Sequence, residues 1–177
     1  LARALDAGVD RYSVDVLRAE VMQLRADYDS AIKLYESLLA DNPNAPVIAN
    51  NLASLLSDHR DDKASHQRAR ELAERFRDSQ VPQFKDTLGW VLYRLGEYDA
   101  AVAILSEAQE ANPGLVDIRY HYGKALLAQG NLRRARSVVE ETLKLLEGRT
   151  GDLIDALNAT LADIETAEAK RAAQPAL

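Results

Sequence analysis

Apolar residues recur every three or four positions along almost the whole chain, and the runs break at short polar or Gly-containing turns. That spacing lines one face of a helix with 3.6 residues per turn, whereas a half-buried strand would alternate strictly. The expected helices pair into hairpins: roughly Ser13–Arg25 with Asp27–Ala40, Pro46–His59 with Lys63–Arg77, Val81–Leu95 with Tyr98–Ala111, and Leu115–Gln129 with Leu132–Glu147. A last amphipathic helix, about Gly151–Ala172, carries Leu153, Ile154, Leu157, Leu161 and Ile164 on one stripe. Its other face is polar, as a cap over a terminal repeat must be. The expected layout is a remnant over 1–12, hairpins at 13–45, 46–80, 81–114 and 115–147, a capping helix over 148–172 and a frayed tail over 173–177.

The hairpins are copies of one unit. Gly96, Tyr98 and Ala101 return 34 residues later as Gly130, Leu132 and Ala135, and appear 70 residues earlier as Ala26, Tyr28 and Ala31. Small residues keep the same rhythm on the preceding helix, at Ala19, Ala53, Gly89 and Gly123, while Pro43 and Pro113 close two units. A small residue lets two helices approach closely where they cross. Gly or Ala then turns the chain, and the aromatic or Leu two positions on is expected to plug the hairpin as a core residue. The Ala of the second helix is expected to face the small residue of the first. Tyr35, Leu105 and Val139 are expected to pack toward the next repeat. The second hairpin is irregular: SDHRDDKASHQ lengthens its loop, either as a neutral insertion or as a partner contact.

Composition narrows the class. The chain has 177 residues, 47% hydrophobic and 28% charged but only 6% aromatic, with net charge −6 and no Cys. The interleaved, mildly acidic surface argues against nucleic acid as the main partner. Disulfides and thiolate metal sites are excluded, and no apolar run approaches the roughly 20 residues of a membrane span. LARALDAG at the start reads as the end of a helix already under way, so a longer array is expected.

These positions resemble the tetratricopeptide repeat from Ser13 onward, most closely in DTLGWVLYRLGEYDAAVAILSEAQEANP. The resemblance implies an all-α, right-handed superhelix (an α-solenoid) of about four hairpins plus the capping helix. It also implies a non-catalytic scaffold that binds a protein or peptide in a concave groove lined by the first helices. NNLASLL, DTLGWVLYRLG and IRYHYGKALLAQG look like the C-terminal repeats of bacterial exosortase (PEP-CTERM) and exopolysaccharide-associated proteins. That likeness implies a role in envelope assembly, with the periplasm favoured slightly over the cytoplasm. The alternatives are a substrate-recruiting arm of a larger enzyme, or a self-associating segment that extends the stack through an apolar edge around Leu1 and Leu5.

Helical spacing selects the groove residues. On the face away from the second helix lie Asn50, Asn51, Ser54 and Asp58, then Gln83, Asp86, Thr87, Trp90 and Arg94, then Tyr120, His121, Lys124 and Leu127. Asn offers a donor and an acceptor to a peptide backbone, and Trp90 and Tyr120 offer flat apolar area. Chaperone-binding members of the family grip a carboxylate tail with Lys, Asn and Arg. The matching positions here hold Val16, Glu20, Asn51, Gln83 and Thr87 in one frame, and Asn50, Ser54, Thr87, Asp117 and His121 in the next. The cations are missing, so an EEVD-like tail is not an expected ligand. His59 and His66 near Asp58, Asp61 and Asp62 lack zinc-ligand spacing. Neither a nucleophile elbow nor a Gly-rich phosphate loop is present. No catalytic residue, metal or cofactor is expected.

Overall fold

In the computed structural model, residues 10–173 are described, and within them the chain forms α-helices, one 3-10 turn and no strand. It falls into two compact units divided between Arg75 and Phe76.

The first unit contains α1 (Arg11–Leu24), α2 (Tyr28–Asp41), α3 (Pro46–His59) and α4 (Lys63–Ala73), each packed on the next. Three of these begin at an Asp that satisfies an orphan amide of the first turn. Asp10 accepts from the Ser13 N–H at 3.0 Å, Asp27 from the Ser30 N–H at 3.3 Å and Asp62 from the Ser65 N–H at 2.9 Å. The remaining one, α3, opens with Pro46, whose missing N–H costs nothing at that position. Val14, Ala19, Ala31, Tyr35, Leu52, Ala53, Ala69 and Leu72 are almost completely buried. Burying each Leu contributes about 2 kcal/mol relative to exposure. The α-helix ends at Ala73, short of the expected Arg77, and tightens into a 3-10 turn over Glu74–Phe76.

The second unit contains α5 (Pro82–Arg94), α6 (Tyr98–Ala111), α7 (Val116–Gln129), α8 (Leu132–Leu145) and α9 (Asp152–Ala172). Sequence neighbours pack together; in addition α5 touches α7, and α7 touches α9. First helices of successive hairpins therefore adjoin directly. Leu157 and Ile164 seal α9 into the core. Arg119 is buried at the α7–α8 contact, where its Nε donates to Thr142 Oγ1 at 2.9 Å and its Nη2 to Glu141 Oε2 at 3.0 Å.

The close helix approach differs in detail from expectation. A Cβ on Gly123 would come within 2.9 Å of Val139 Cγ2, and one on Gly89 would overlap the Leu105 side chain. The facing residues are thus Val139 and Leu105, one turn beyond the expected Ala135 and Ala101. These larger side chains fill the notch inside their own hairpin. Tyr98, expected in the core, is 38% exposed. Leu1, Leu5 and the tail over 174–177 lie outside the described residues; along α1, Leu17, Val21 and Leu24 are exposed.

Candidate functional site

In the first unit the candidates sit on α3. Asn50 Nδ2 donates to Asn51 Oδ1 at 3.4 Å, and Asn51 Nδ2 donates to the Tyr35 hydroxyl at 3.4 Å. That hydroxyl donates to Gln23 Oε1 at 2.7 Å. The relay joins α1, α2 and α3, so the half-buried Asn51 ties its own helix to the preceding hairpin. Burial raises the Tyr35 pKa, which keeps the phenol neutral and able to donate. Asn50 Oδ1 is buried without a partner. Ser54 Oγ donates to Asp58 Oδ2 at 3.3 Å.

The acidic loop between α3 and α4 serves the fold. Asp62 caps α4, with the Ser65 hydroxyl at 2.6 Å holding its pKa below the ordinary carboxylate value. Arg60 pairs with Asp29. His59 stacks on Tyr28 with ring centroids 3.5 Å apart, and His66 Nε2 lies 2.7 Å from the Arg60 carbonyl. Among the described residues no three acidic or His side chains gather as a metal site.

In the second unit α5 and α7 build an aromatic cluster. The carboxylate of Asp86 meets His121 Nδ1 at 2.9 and 3.0 Å. A carboxylate only accepts, so Nδ1 carries the hydrogen of this contact. Trp90 stacks on His121 at 4.2 Å and on Tyr93 at 4.7 Å, and Tyr120 lies tilted at 6.5 Å from Trp90. Tyr98 continues the row, 5.9 Å from Tyr93. All are partly exposed. Burial raises the pKa of Tyr93 and of Tyr120; for Tyr93 the neighbouring tyrosines and the Asp163 carboxylate of α9 add to it. Tyr93 and Tyr120 are therefore neutral donors across the physiological range.

Gln83 is exposed at the start of α5, and Arg94 and Lys124 are half-buried. Thr87, expected on the groove face, is instead buried: it is 8% exposed, and its hydroxyl donates back to the Gln83 carbonyl at 3.2 Å. One residue past Asp86 the helix has turned by roughly 100°, which takes Thr87 under the face. Tyr93 and Tyr98 extend the cluster beyond the residues chosen from spacing. The signal was their position three and eight residues after Trp90.

Tetratricopeptide repeat models match residues 15–45, 57–116 and 92–147. No curated protein matches the chain significantly. Among solved structures, TTC0263, a thermophilic tetratricopeptide repeat protein of Thermus thermophilus, is 18% identical. The similarity covers 90% of this chain and 89% of that one, with a TM-score of 0.72. A MamA protein is 21% identical over 94% of this chain and 97% of its own, with a TM-score of 0.60. A tetratricopeptide repeat protein of Parabacteroides merdae ATCC 43184 is 14% identical over 90% and 60%, at 0.64. At these identities the likeness is one of fold. No helix among the described residues is long and apolar enough to cross a membrane.

Proposed function

Because the chain belongs to the tetratricopeptide repeat family, we propose that it is a non-catalytic scaffold whose second unit holds a partner polypeptide against the α5–α7 face. The row Tyr98–Tyr93–Trp90–His121–Tyr120 carries this reading. Partly exposed aromatic rings supply contact area at small entropic cost, and the Asp86–His121 pair and Lys124 give polar direction beside them. Asn50, Asn51 and Ser54 offer the first unit a more polar face of the same kind.

The chain has a single Trp, so Trp90 is its own reporter. Peptides selected from a display library for binding should change Trp90 emission. In the Trp90→Ala variant, read by anisotropy of the labelled peptide, binding should weaken by roughly 30-fold, the loss of an anchor worth about 2 kcal/mol. Unchanged affinity, or a loss of far-ultraviolet helicity in the same variant, refutes the assignment.

The finer proposal is a role in bacterial envelope or exopolysaccharide assembly, in the periplasm. It is supported by the strings Asn50–Leu56, Asp86–Gly96 and Ile118–Gly130. Fractionation of cells carrying the native gene tests it; recovery only with the cytosol overturns it.

A further inference from the structure

We propose that the α8–α9 corner of the second unit docks an acidic segment of a partner polypeptide, at a site separate from the aromatic face. A cavity of about 500 Å³ opens there, and Asn131, Leu132, Arg133, Arg134, Ser137 and Arg171 line it. Three arginines thus line one concavity of a chain whose net charge is −6.

The register of the two helices brings them together. Arg136 on α8 binds Glu168 on α9 at 2.6 Å and Glu165 at 3.6 Å. Arg133 lies one turn before Arg136, and Arg171 one turn after Glu168, so an antiparallel pair clamped at 136 and 168 sets Arg133 beside Arg171. The neighbouring carboxylates are already engaged. Glu140 and Glu168 bind Arg136, and Glu141 binds the Ser137 hydroxyl at 2.6 Å and Arg119. Among the described residues Arg133, Arg134 and Arg171 form no ion pair, while Arg134 is braced over the Tyr122 ring at 5.6 Å. Like charges held together without an anion repel, and an incoming carboxylate relieves that cost.

The shape selects the ligand class. The volume falls in the range of a ligand pocket rather than of one bound ion, and the charges stand on three separate residues, with Leu132 also in the lining. Several carboxylates spaced along an extended chain match that layout, and Arg suits carboxylates through paired N–H donors.

Fluorescence anisotropy with a labelled short Glu/Asp peptide, at low salt on the full chain, tests the proposal. Binding is expected, weakening steadily as salt is added. Arg133→Gln and Arg171→Gln should each reduce affinity about tenfold, and the double variant further, while Trp90→Ala leaves it unchanged. All three arginines are surface residues, and unaltered circular dichroism of the variants confirms the fold. The proposal is overturned by no binding at low salt, or by binding that ignores both Arg variants. It is also overturned if a single-stranded oligonucleotide of equal charge binds as tightly with the same Arg dependence, since the site would then read charge alone.

Discussion

Ala26, Gly96 and Gly130 occupy equivalent turns, and all three have positive φ: +58°, +78° and +87°. The left-handed region brings Cβ against the following carbonyl and costs an L-residue roughly 1–2 kcal/mol, which Gly avoids. The first hairpin therefore bears a strain that the third and fourth do not. Ala26 is exposed, and its N–H donates to the Gln23 carbonyl at 2.9 Å, a bond that Gly would keep. Ala26→Gly loses no packing, and its only penalty is the extra freedom of Gly in the unfolded chain, about 0.5–1 kcal/mol. The net gain should be about 0.5–1 kcal/mol. At roughly 2–4 °C per kcal/mol for a chain of this size, that raises Tm by about 1–4 °C. Urea unfolding followed by circular dichroism should show a higher midpoint at unchanged slope. The reciprocal variants sharpen the test. Nothing lies within 4 Å of a Cβ placed on Gly96 or Gly130, so Gly96→Ala and Gly130→Ala should each lose about 1 kcal/mol through the backbone alone. If Ala26→Gly is neutral or destabilising while those two are costly, turn strain is not what separates the hairpins.

Gly123→Leu drives a large side chain into Val139 and should cost at least the roughly 1–3 kcal/mol of ordinary overpacking, read as a lower thermal midpoint; an unchanged transition would mean that α7 and α8 do not cross at this residue. The depressed pKa of Asp62 sets a pH dependence. Its cap stabilises α4 above the ordinary Asp value of about 4 and is lost as pH falls through the lower folded value. Asp62→Asn keeps an acceptor but removes the proton equilibrium, so acid unfolding of this variant should be shallower below about pH 4. An identical acid limb, or an Asp62 carboxyl titrating at its ordinary value by NMR, contradicts the capping role.

Features confined to one helix or one turn were readable in the letters. Apolar spacing placed the helices, and the recurrence of Gly96 at Gly130 and Ala26 marked turns that share one backbone conformation. The face carrying Trp90, Tyr120 and His121 followed from helical spacing, but spacing resolves a face only to about one residue. That width is the difference between Asp86, which meets His121, and Thr87, which is buried. Tyr98 lies outside the core for another reason. The residue two after the turn Gly opens α6, and at a helix start a large ring reaches the rim, where it leans on Tyr93 instead of filling the core.

Contacts between elements needed the register of the stack, and here the letters held more than periodicity alone revealed. Arg60–Asp29 spans 31 residues, Arg68–Glu36 and Arg136–Glu168 span 32, and His121–Asp86 spans 35. Each lies close to the 34-residue step between repeats. In a stack where each repeat touches only its neighbours, long-range partners must cluster near one repeat length. An acid and a base about that far apart are therefore candidates for a cross-repeat pair on spacing alone. The arginines left without such a partner then become informative. One repeat length beyond Arg133 and Arg134 the chain offers two carboxylates, Glu165 and Glu168, and both are drawn to Arg136. With those acids engaged, internal pairing leaves the charge of Arg133 and Arg134 over for a ligand, which is the ground for expecting an acidic segment at that corner.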